Sequence, residues 1–479
     1  MKTLKLATAG LLSMLAINVA SASTEIRLTG STAFRKATVN SIQNVLNSDY
    51  VWGSTGGSGL GASQQVFVGT TKTTGVQVII KCSWSGSAGG IQSLAQNVPA
   101  GQPFIIDPTG VAFGPAAGTV GGIALTHAGA NIPTGADISE SHTADVALSD
   151  AFPSTTPYTG AGFTALKDTV VGIVPFAWVK GAYTPDGTVA SAVAGGLPGV
   201  TNITLDQAQQ LIGGGLALNQ FTGNPSDQAV FVQLVDRDHD SGTRVGYIYD
   251  SQYLGCIFGK PTDGYNDGIL QYLPQGNGTT GTSATVGTTQ FASQTPGTGV
   301  ISSLTPWPTE TVIGENRPAG NEGFFSGGTV ASVLNRPCDT SAGNYIISFL
   351  GFGDSPSVNP GAGYSYTDGA GNVATITPSQ NAILFDGYYP GTPTHPFGPT
   401  NNINGSGISG YANIIQGVYT AWGYEHYLYA ASLGTGSLKT VADQIATQLT
   451  SEADFGGVGM LLSAMNASRA TDGAPITSP

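Results

Sequence analysis

Short apolar strands alternate with amphipathic helices along most of this chain, and this alternation constrains its fold more than any other feature. Apolar runs typical of buried strands lie near residues 26–28, 76–80, 146–148, 170–179 and 230–235. Apolar residues at helical spacing follow them over 32–47, from Gly89, from Thr204, from Gly242 and over 438–449. Strands that alternate with helices predict an α/β fold with mainly parallel sheets.

Long stretches rich in Gly, Thr and Pro interrupt this pattern near residues 52–64, 99–143, 260–320 and 353–378. Such composition favours turns and extended segments over helices. These stretches are therefore predicted to be loops or β-hairpins inserted into the α/β framework.

The N-terminus has the pattern of a secretory signal peptide. Lys2 and Lys5 precede the apolar run Leu6–Val19, and Ala20 and Ala22 are small residues at the two cleavage positions. The run is short for a membrane span, and no later segment is long and apolar enough to cross a bilayer. We expect cleavage after Ala22 and a mature chain in the periplasm or outside the cell.

The charge balance limits the possible partners. Charged residues make up 9% of the chain, with 29 acidic against 16 basic side chains. An acidic excess argues against a nucleic-acid partner, which requires a basic face. Any bound anion must therefore be held by local dipoles rather than by overall attraction. The three cysteines show no metal-binding or redox spacing.

Four turns of small polar residues join strands to helices. They are Thr29–Thr32, Ser85–Gly90, Ser149–Asp150 and Arg237–Thr243. Each places free backbone N–H groups and a hydroxyl or carboxyl at the start of a helix, where the helix dipole favours an anion. Ligands of open α/β sheets bind at the carboxyl ends of the strands, where all four turns lie. Taken singly, each turn is also an ordinary helix cap.

The ordered set GST, GSAGG, SD and RxxxSGT resembles the phosphate-binding proteins of phosphate ABC transporters, which are class II periplasmic binding proteins. The resemblance implies a two-lobed clam-shell without a cofactor, a monomer that binds inorganic phosphate and delivers it to an inner-membrane ABC permease. One lobe would hold 23–170 and 345–479, and the other would hold 171–344. Strands near 170–179 and 344–351 would form the hinge.

The resemblance also implies a set of phosphate ligands. Carried over motif by motif, they are Ser31, Thr32, Ala33, Ser87, Asp150, Arg237, Ser241, Gly242 and Thr243. Arg237 would offer a planar fork to two oxygens of the anion, and the hydroxyls and the Gly242 N–H would donate hydrogen bonds. Asp150 fits an anion site only if the ligand carries a proton, as phosphate does near neutral pH.

One position departs from the family pattern. His239 stands where the family often has an aspartate that pairs with the arginine. Asp238 or Asp240 could take that role, so the electrostatic environment of Arg237 is left open by the sequence.

The sequence also has features of other functional classes. The Asp236–Asp240 stretch resembles the start of a calcium loop but lacks its glycine and its glutamate. No nucleophile elbow or paired carboxylates favour an enzyme. Low charge and clustered tyrosines would suit a glycan-binding surface protein. Sulfate, molybdate and arsenate remain as alternative ligands, and the Asp150 carboxylate favours phosphate over the fully ionised sulfate and molybdate.

Overall fold

The computed structural model describes most of the chain after the predicted signal peptide. The described residues are 23–55, 61–105, 118–120, 123–125, 130–132, 139–193, 196–253, 269–276, 281–284, 294–312, 315–358, 364–367, 373–376, 383–390, 411–452, 455 and 457–477. The predicted signal peptide and Cys256 lie outside them. Within these residues, no helix has both the length and the apolar character needed to cross a membrane.

The described residues form many short strands and two long ones. In chain order the strands are β1 (Thr24–Gly30), β2 (Val51–Thr55), β3 (Gln64–Thr70), β4 (Gln77–Ser83), β5 (Gly118–Val120), β6 (Ile123–Leu125), β7 (Ala130–Ile132), β8 (Val146–Ser149), β9 (Leu166–Lys180), β10 (Tyr183–Thr184), β11 (Asn202–Ile203), β12 (Leu216–Ala217), β13 (Phe231–Leu234), β14 (Tyr272–Gly276), β15 (Ile301–Pro306), β16 (Glu310–Val312), β17 (Glu315–Arg317), β18 (Cys338–Asp339), β19 (Asn344–Gly351), β20 (Tyr364–Thr367), β21 (Val373–Ile376), β22 (Leu384–Phe385) and β23 (Trp422–Ala430).

The α-helices follow the strands as the sequence predicts. Those of the described residues are α1 (Arg35–Val45), α2 (Ser87–Gln96), α3 (Leu205–Ile212), α4 (Asn219–Thr222), α5 (Gly242–Asp250), α6 (Gly327–Leu334), α7 (Ala412–Ile415) and α8 (Ser437–Thr450). α8 buries Val441, Ala442, Ile445 and Leu449 along one face. This is the apolar spacing that predicts a helix there.

One sheet of eleven strands organises the molecule, in the order β12-β13-β19-β9-β23-β8-β1-β4-β3-β2-β7. β1 pairs in parallel with β4 and β8, and β13 pairs in parallel with β19. The long strands β9 and β23 are antiparallel to each other and to their outer neighbours β19 and β8. The α/β class is confirmed, but the prediction of mainly parallel sheets is wrong, because β3, β9, β12 and β23 each pair antiparallel with their neighbours in the sheet.

The predicted insertions contain β-hairpins. β2 pairs with β3, β5 with β6, β14 with β15, β16 with β17 and β20 with β21, each antiparallel. The insertion prediction is therefore confirmed, and part of the stretch 52–64 joins the main sheet through β2 and β3.

The core lies on the sheet and is strongly aromatic at its centre. Trp178, Phe176 and Tyr247 pack around Phe349, with ring centroids 5.2–6.0 Å apart. Tyr424 and Tyr427, which the glycan-binding alternative placed on a surface, are 8% and 0% exposed. Cys82 and Cys338 are buried free thiols.

Candidate oxyanion site between four strand–helix turns

The first turn follows β1 and is held tightly against β8. Gly30 has a φ of +110°, and a Cβ there would overlap the carbonyl oxygen of Leu148. The Ser31 N–H donates to that carbonyl at 2.8 Å, and the Ser31 hydroxyl accepts from the Phe34 N–H at 3.2 Å. Ser31, Thr32 and Ala33 are buried, with exposed fractions of 0%, 8% and 4%. The turn thus lies at the carboxyl end of β1, as predicted.

The second and third turns meet at a hydrogen bond between side chains. The Ser87 hydroxyl, at the first residue of α2, donates to Oδ1 of Asp150, which follows β8. The Ser87 oxygen also accepts from the Asp150 N–H at 3.2 Å. Ser87 is 1% exposed and Asp150 is 2% exposed. The sequence places these residues 63 positions apart, and only the parallel order of β4, β1 and β8 brings them together.

The fourth turn, between β13 and α5, packs directly on this pair. A Cβ at Gly242 would overlap Oδ1 of Asp150 and lie 2.7 Å from the Ser87 hydroxyl oxygen. The Thr243 hydroxyl donates to Oδ2 of Asp150 at 3.4 Å. Glycine at position 242 is therefore required for the close approach of the fourth turn to the Asp150 carboxyl.

The start of α2 also contacts the fourth turn through its backbone. The N–H groups of Ala88 and Gly89 donate to the carbonyl oxygen of Asp240 at 2.9 and 3.3 Å. A Cβ at Gly86, which has a φ of +94°, would overlap the same carbonyl. The donors at the start of α2 are thus aimed between the second and fourth turns, where a peptide oxygen accepts from them.

Arg237 lies in the same cluster with its guanidinium anchored from behind. Its Nε donates to the Phe324 carbonyl at 3.1 Å and its Nη2 donates to the Phe325 carbonyl at 2.8 Å, and the residue is 2% exposed. Asp236 accepts from the Arg237 N–H at 2.7 Å. The carboxyls whose charges interact with Arg237 include those of Asp150, Asp236 and Asp354. The sequence leaves open which carboxylate balances the charge of Arg237, because His239 stands in place of an aspartate. These three carboxyls supply negative charge near Arg237.

Electrostatics differ between the acids of this cluster. Burial raises the pKa of Asp150, while the Ser87 hydrogen bond and the Arg237 charge lower it. Burial raises the pKa of Asp236 to about 7, against hydrogen bonds from the Phe349 N–H and the Ser348 hydroxyl. Burial thus raises the pKa of both acids against hydrogen bonds and the Arg237 charge, and Asp150 differs from Asp236 in its contacts with the second and fourth turns.

Ser241 performs the ordinary role of a helix cap. Its hydroxyl oxygen accepts from the Arg244 N–H at 3.3 Å at the start of α5. The hydroxyl proton can still donate to a ligand, so a ligand role for Ser241 stays a prediction. The same holds for Thr32 and Ala33, which the fold places in the cluster.

Two charged residues of this region were missed by sequence reasoning. Arg35, the first residue of α1, has a buried Nε without a hydrogen-bond partner among the described residues, and its charge interacts with Asp354 and Arg237. Glu425, on β23, is fully buried beside Ser31 and Asp150. A basic residue in the first turn of a helix and an acidic residue within an apolar strand are both unfavourable. These unusual positions are the sequence signal that could have identified Arg35 and Glu425.

Among the described residues, no group of three or more His, Cys, Asp or Glu side chains is arranged to hold a metal ion. Asp236, the first residue of the stretch that resembles a calcium loop, accepts hydrogen bonds from β19 and from the Arg237 N–H.

Comparisons with known proteins find similar structures but no similar sequence. No protein-family model and no curated protein matches the chain. Similar solved structures include a phosphate ABC transporter substrate-binding protein from Clostridium perfringens with bound phosphate (11% identity, TM-score 0.39, covering 92% of this chain and 100% of that chain). An ABC-type phosphate transport receptor from Vibrio cholerae (14%, 0.36, 91% and 100%) and PstS from Borrelia burgdorferi (12%, 0.31, 91% and 99%) are also similar.

These structures are of the kind of protein that the sequence motifs resemble. Identity and structural overlap at this level do not transfer the role of a residue from one chain to another. The roles of Arg237, Asp150 and their neighbours therefore depend on the contacts within this chain.

Proposed function

We propose that this chain is an exported solute-binding protein that captures phosphate between its four strand–helix turns, for uptake through an ABC permease. The observation that carries the proposal is the contact of Asp150 with both Ser87 and the Gly242–Thr243 start of α5, beside the buried charge of Arg237. Hydroxyls, helix-start N–H groups and a guanidinium are the donors that an oxyanion requires.

The carboxylate of Asp150 favours phosphate among the oxyanions. A carboxylate accepts a hydrogen bond from a protonated oxygen but repels a bare one, and the repulsion is strong in a buried site. Phosphate carries such a proton near neutral pH, whereas sulfate does not. Arsenate has the same protonation chemistry, and direct competition against phosphate separates the two ligands.

The ligand would enter by separation of the turns. The Asp240 carbonyl accepts from the start of α2, and Gly242 touches Asp150, so the described arrangement is closed. In the proposed division, 23–170 with 345–479 form one lobe and 171–344 form the other, with β9 and β19 at the hinge. Opening about these strands would free the Ala88 and Gly89 N–H groups for the anion.

Titration calorimetry of the mature chain with phosphate and then with sulfate tests the proposal. We expect phosphate to bind and sulfate to bind far more weakly. Equal affinity for both anions, or no heat with phosphate, would contradict the phosphate assignment. Export is tested separately by N-terminal sequencing, which should find Ser23 as the first residue of the mature protein.

A further inference from the structure

A second carboxyl group lies beside Asp150. In the antiparallel pairing of β23 with β8, His426 is opposite Ser149, so the next residues along the two chains are Glu425 and Asp150. The two backbones are close at this point, because a Cβ at Gly423 would lie 2.6 Å from the Asp150 carbonyl oxygen. Glu425 is 0% exposed. The strand register therefore places two buried carboxyls together.

The two carboxyls have very different partners. Asp150 has hydroxyl donors in Ser87 and Thr243, and Arg237 acts on its charge. The Ser31 hydroxyl lies near Glu425, yet neither Oε atom is in hydrogen-bond geometry with a partner in the described part of the chain. Two adjacent buried carboxylates cannot both ionise without a large electrostatic cost. The proton therefore belongs on Glu425.

Among the described residues, one other titratable group, Asp150, acts on the charge of Glu425. β8 contributes the Asp150 carboxyl, the first turn contributes the Ser31 hydroxyl, and β9 contributes Gly172, which is opposite Glu425 and has no side chain. Burial raises the pKa of Glu425 well above its ordinary value, and the Asp150 charge raises it further. Arg237 acts on Asp150 and is not among the groups that act on Glu425.

We propose that Glu425 is a positioning residue of the oxyanion site: it is a neutral carboxylic acid beside Asp150, and its lack of charge keeps the Asp150 carboxylate ionised as an acceptor for the ligand. This inference rests on the proposed function. A neutral Glu425 adds no charge to the site, whereas an ionised Glu425 would place a second negative charge beside the anion. Glu425 thus sets an upper pH limit on anion binding.

The first test needs no ligand and compares the stability of wild type and Glu425→Gln between about pH 5 and 9. A carboxyl with a raised native pKa keeps a proton that the unfolded chain releases, so wild type loses stability as pH rises above the unfolded value of about 4.3. Glutamine does not titrate. The folding equilibrium constant of the variant should therefore rise relative to wild type by up to about tenfold per pH unit until the native pKa is reached.

Asp49→Asn serves as a control, because Asp49 is an exposed carboxylate outside the cluster. Its stability difference from wild type should stay level over the same range. If Glu425→Gln does not fold, carbon-13 titration of the glutamate carboxyls in wild type gives the same information. A stability difference between wild type and Glu425→Gln that does not change with pH overturns the inference. A Glu425 carboxyl that is ionised at neutral pH overturns it as well.

The second test measures phosphate dissociation constants across pH for wild type, Glu425→Gln and Glu425→Met. Glutamine and methionine do not ionise, so neither variant should lose affinity through a new charge at position 425 as pH rises. Wild type should lose affinity relative to Glu425→Gln at alkaline pH, by up to about tenfold per unit once Glu425 ionises. If the phosphate affinities of wild type and Glu425→Gln change with pH in the same way, the positioning role is contradicted.

The two tests separate this inference from the proposed function. If wild type binds no phosphate at any pH while the stability profiles diverge, the function proposal and the positioning role both fail, and the neutral state of Glu425 stands. If phosphate binds and the stability profiles are level, the function stands and the role of Glu425 is refuted.

Discussion

The starts of α2 and α3 each carry a hydroxyl side chain, Ser87 and Thr204, but the two hydroxyls have different partners. At α3, the Thr204 hydroxyl accepts from the Gln207 N–H at 3.3 Å, and the Gln207 side chain accepts from the Thr204 N–H at 2.9 Å. This capping box is exposed and complete in itself. At α2, no side chain caps the helix, and the Ser87 hydroxyl donates to Asp150 instead.

The difference lies in what faces each helix start. The first N–H groups of α2 donate to the carbonyl of Asp240 in another turn, and Ser87 is 1% exposed. α3 begins at the surface and satisfies itself within its own first turn. A small polar residue at a helix start is therefore a cap where nothing else approaches it, and a candidate ligand where other turns converge on it.

The largest test of this comparison removes the Arg237 charge from the fourth turn, which the start of α2 contacts. Arg237→Ala should weaken phosphate binding by about 2–5 kcal/mol, the range for one half of a buried charged pair. Calorimetry gives the affinity. Lys439→Ala, which removes a half-buried lysine paired with Asp443, should leave the affinity at the wild-type value. Binding by Arg237→Ala within about threefold of wild type would place the anion elsewhere.

The second test concerns selectivity at Asp150, the acceptor of the Ser87 hydrogen bond. Wild type should favour phosphate over sulfate by at least about a hundredfold, or roughly 2.7 kcal/mol. Asp150→Asn removes the charge and adds a hydrogen-bond donor. The ratio of the sulfate to the phosphate dissociation constant should therefore fall. An unchanged ratio, measured at one pH and ionic strength, would show that Asp150 does not discriminate between these anions.

The third test adds a methyl group where the start of α5 packs against Asp150 and Ser87. Gly242→Ala would overlap the Asp150 carboxyl and crowd Ser87, and should cost about 1–3 kcal/mol of binding, the usual range for overpacking. Gly246→Ala is a matched control on the same helix, since its Cβ would meet its nearest neighbours at 3.7 Å. Equal affinities for the two variants would indicate that the fourth turn does not close on Asp150 in solution.

The smallest effects come from the two helix starts themselves. Ser87→Ala, and with it Thr32→Ala, should weaken phosphate binding by about 1–3 kcal/mol, as for hydrogen bonds to charged groups. Thr204→Ala should instead lower the free energy of unfolding by about 1 kcal/mol and leave binding unaffected. Paired denaturation and calorimetry measure both quantities. A loss of stability without a loss of affinity at Ser87 would make α2 an ordinary capped helix like α3.

Much of the local structure could be predicted from the sequence. The helix that the sequence predicts from Thr204 forms and begins with a capping box, and α8 buries the apolar residues that define its period. The mainly parallel sheet was a wrong prediction, because an apolar run such as that of β9 looks the same whichever way its neighbours point. The lobe boundaries and the signal peptide stay predictions.

The sequence by itself determined which turns carry hydroxyls, glycines and the arginine, because helix starts and strand ends follow from local pattern. It did not determine which turns meet. The order of β4, β1 and β8 brings Ser87 to Asp150, and the pairing of β23 with β8 adds Glu425 from 275 residues further along the chain than Asp150. Only the tertiary structure decides such contacts, because a carboxyl's charge state depends on burial and on neighbours that are remote in sequence.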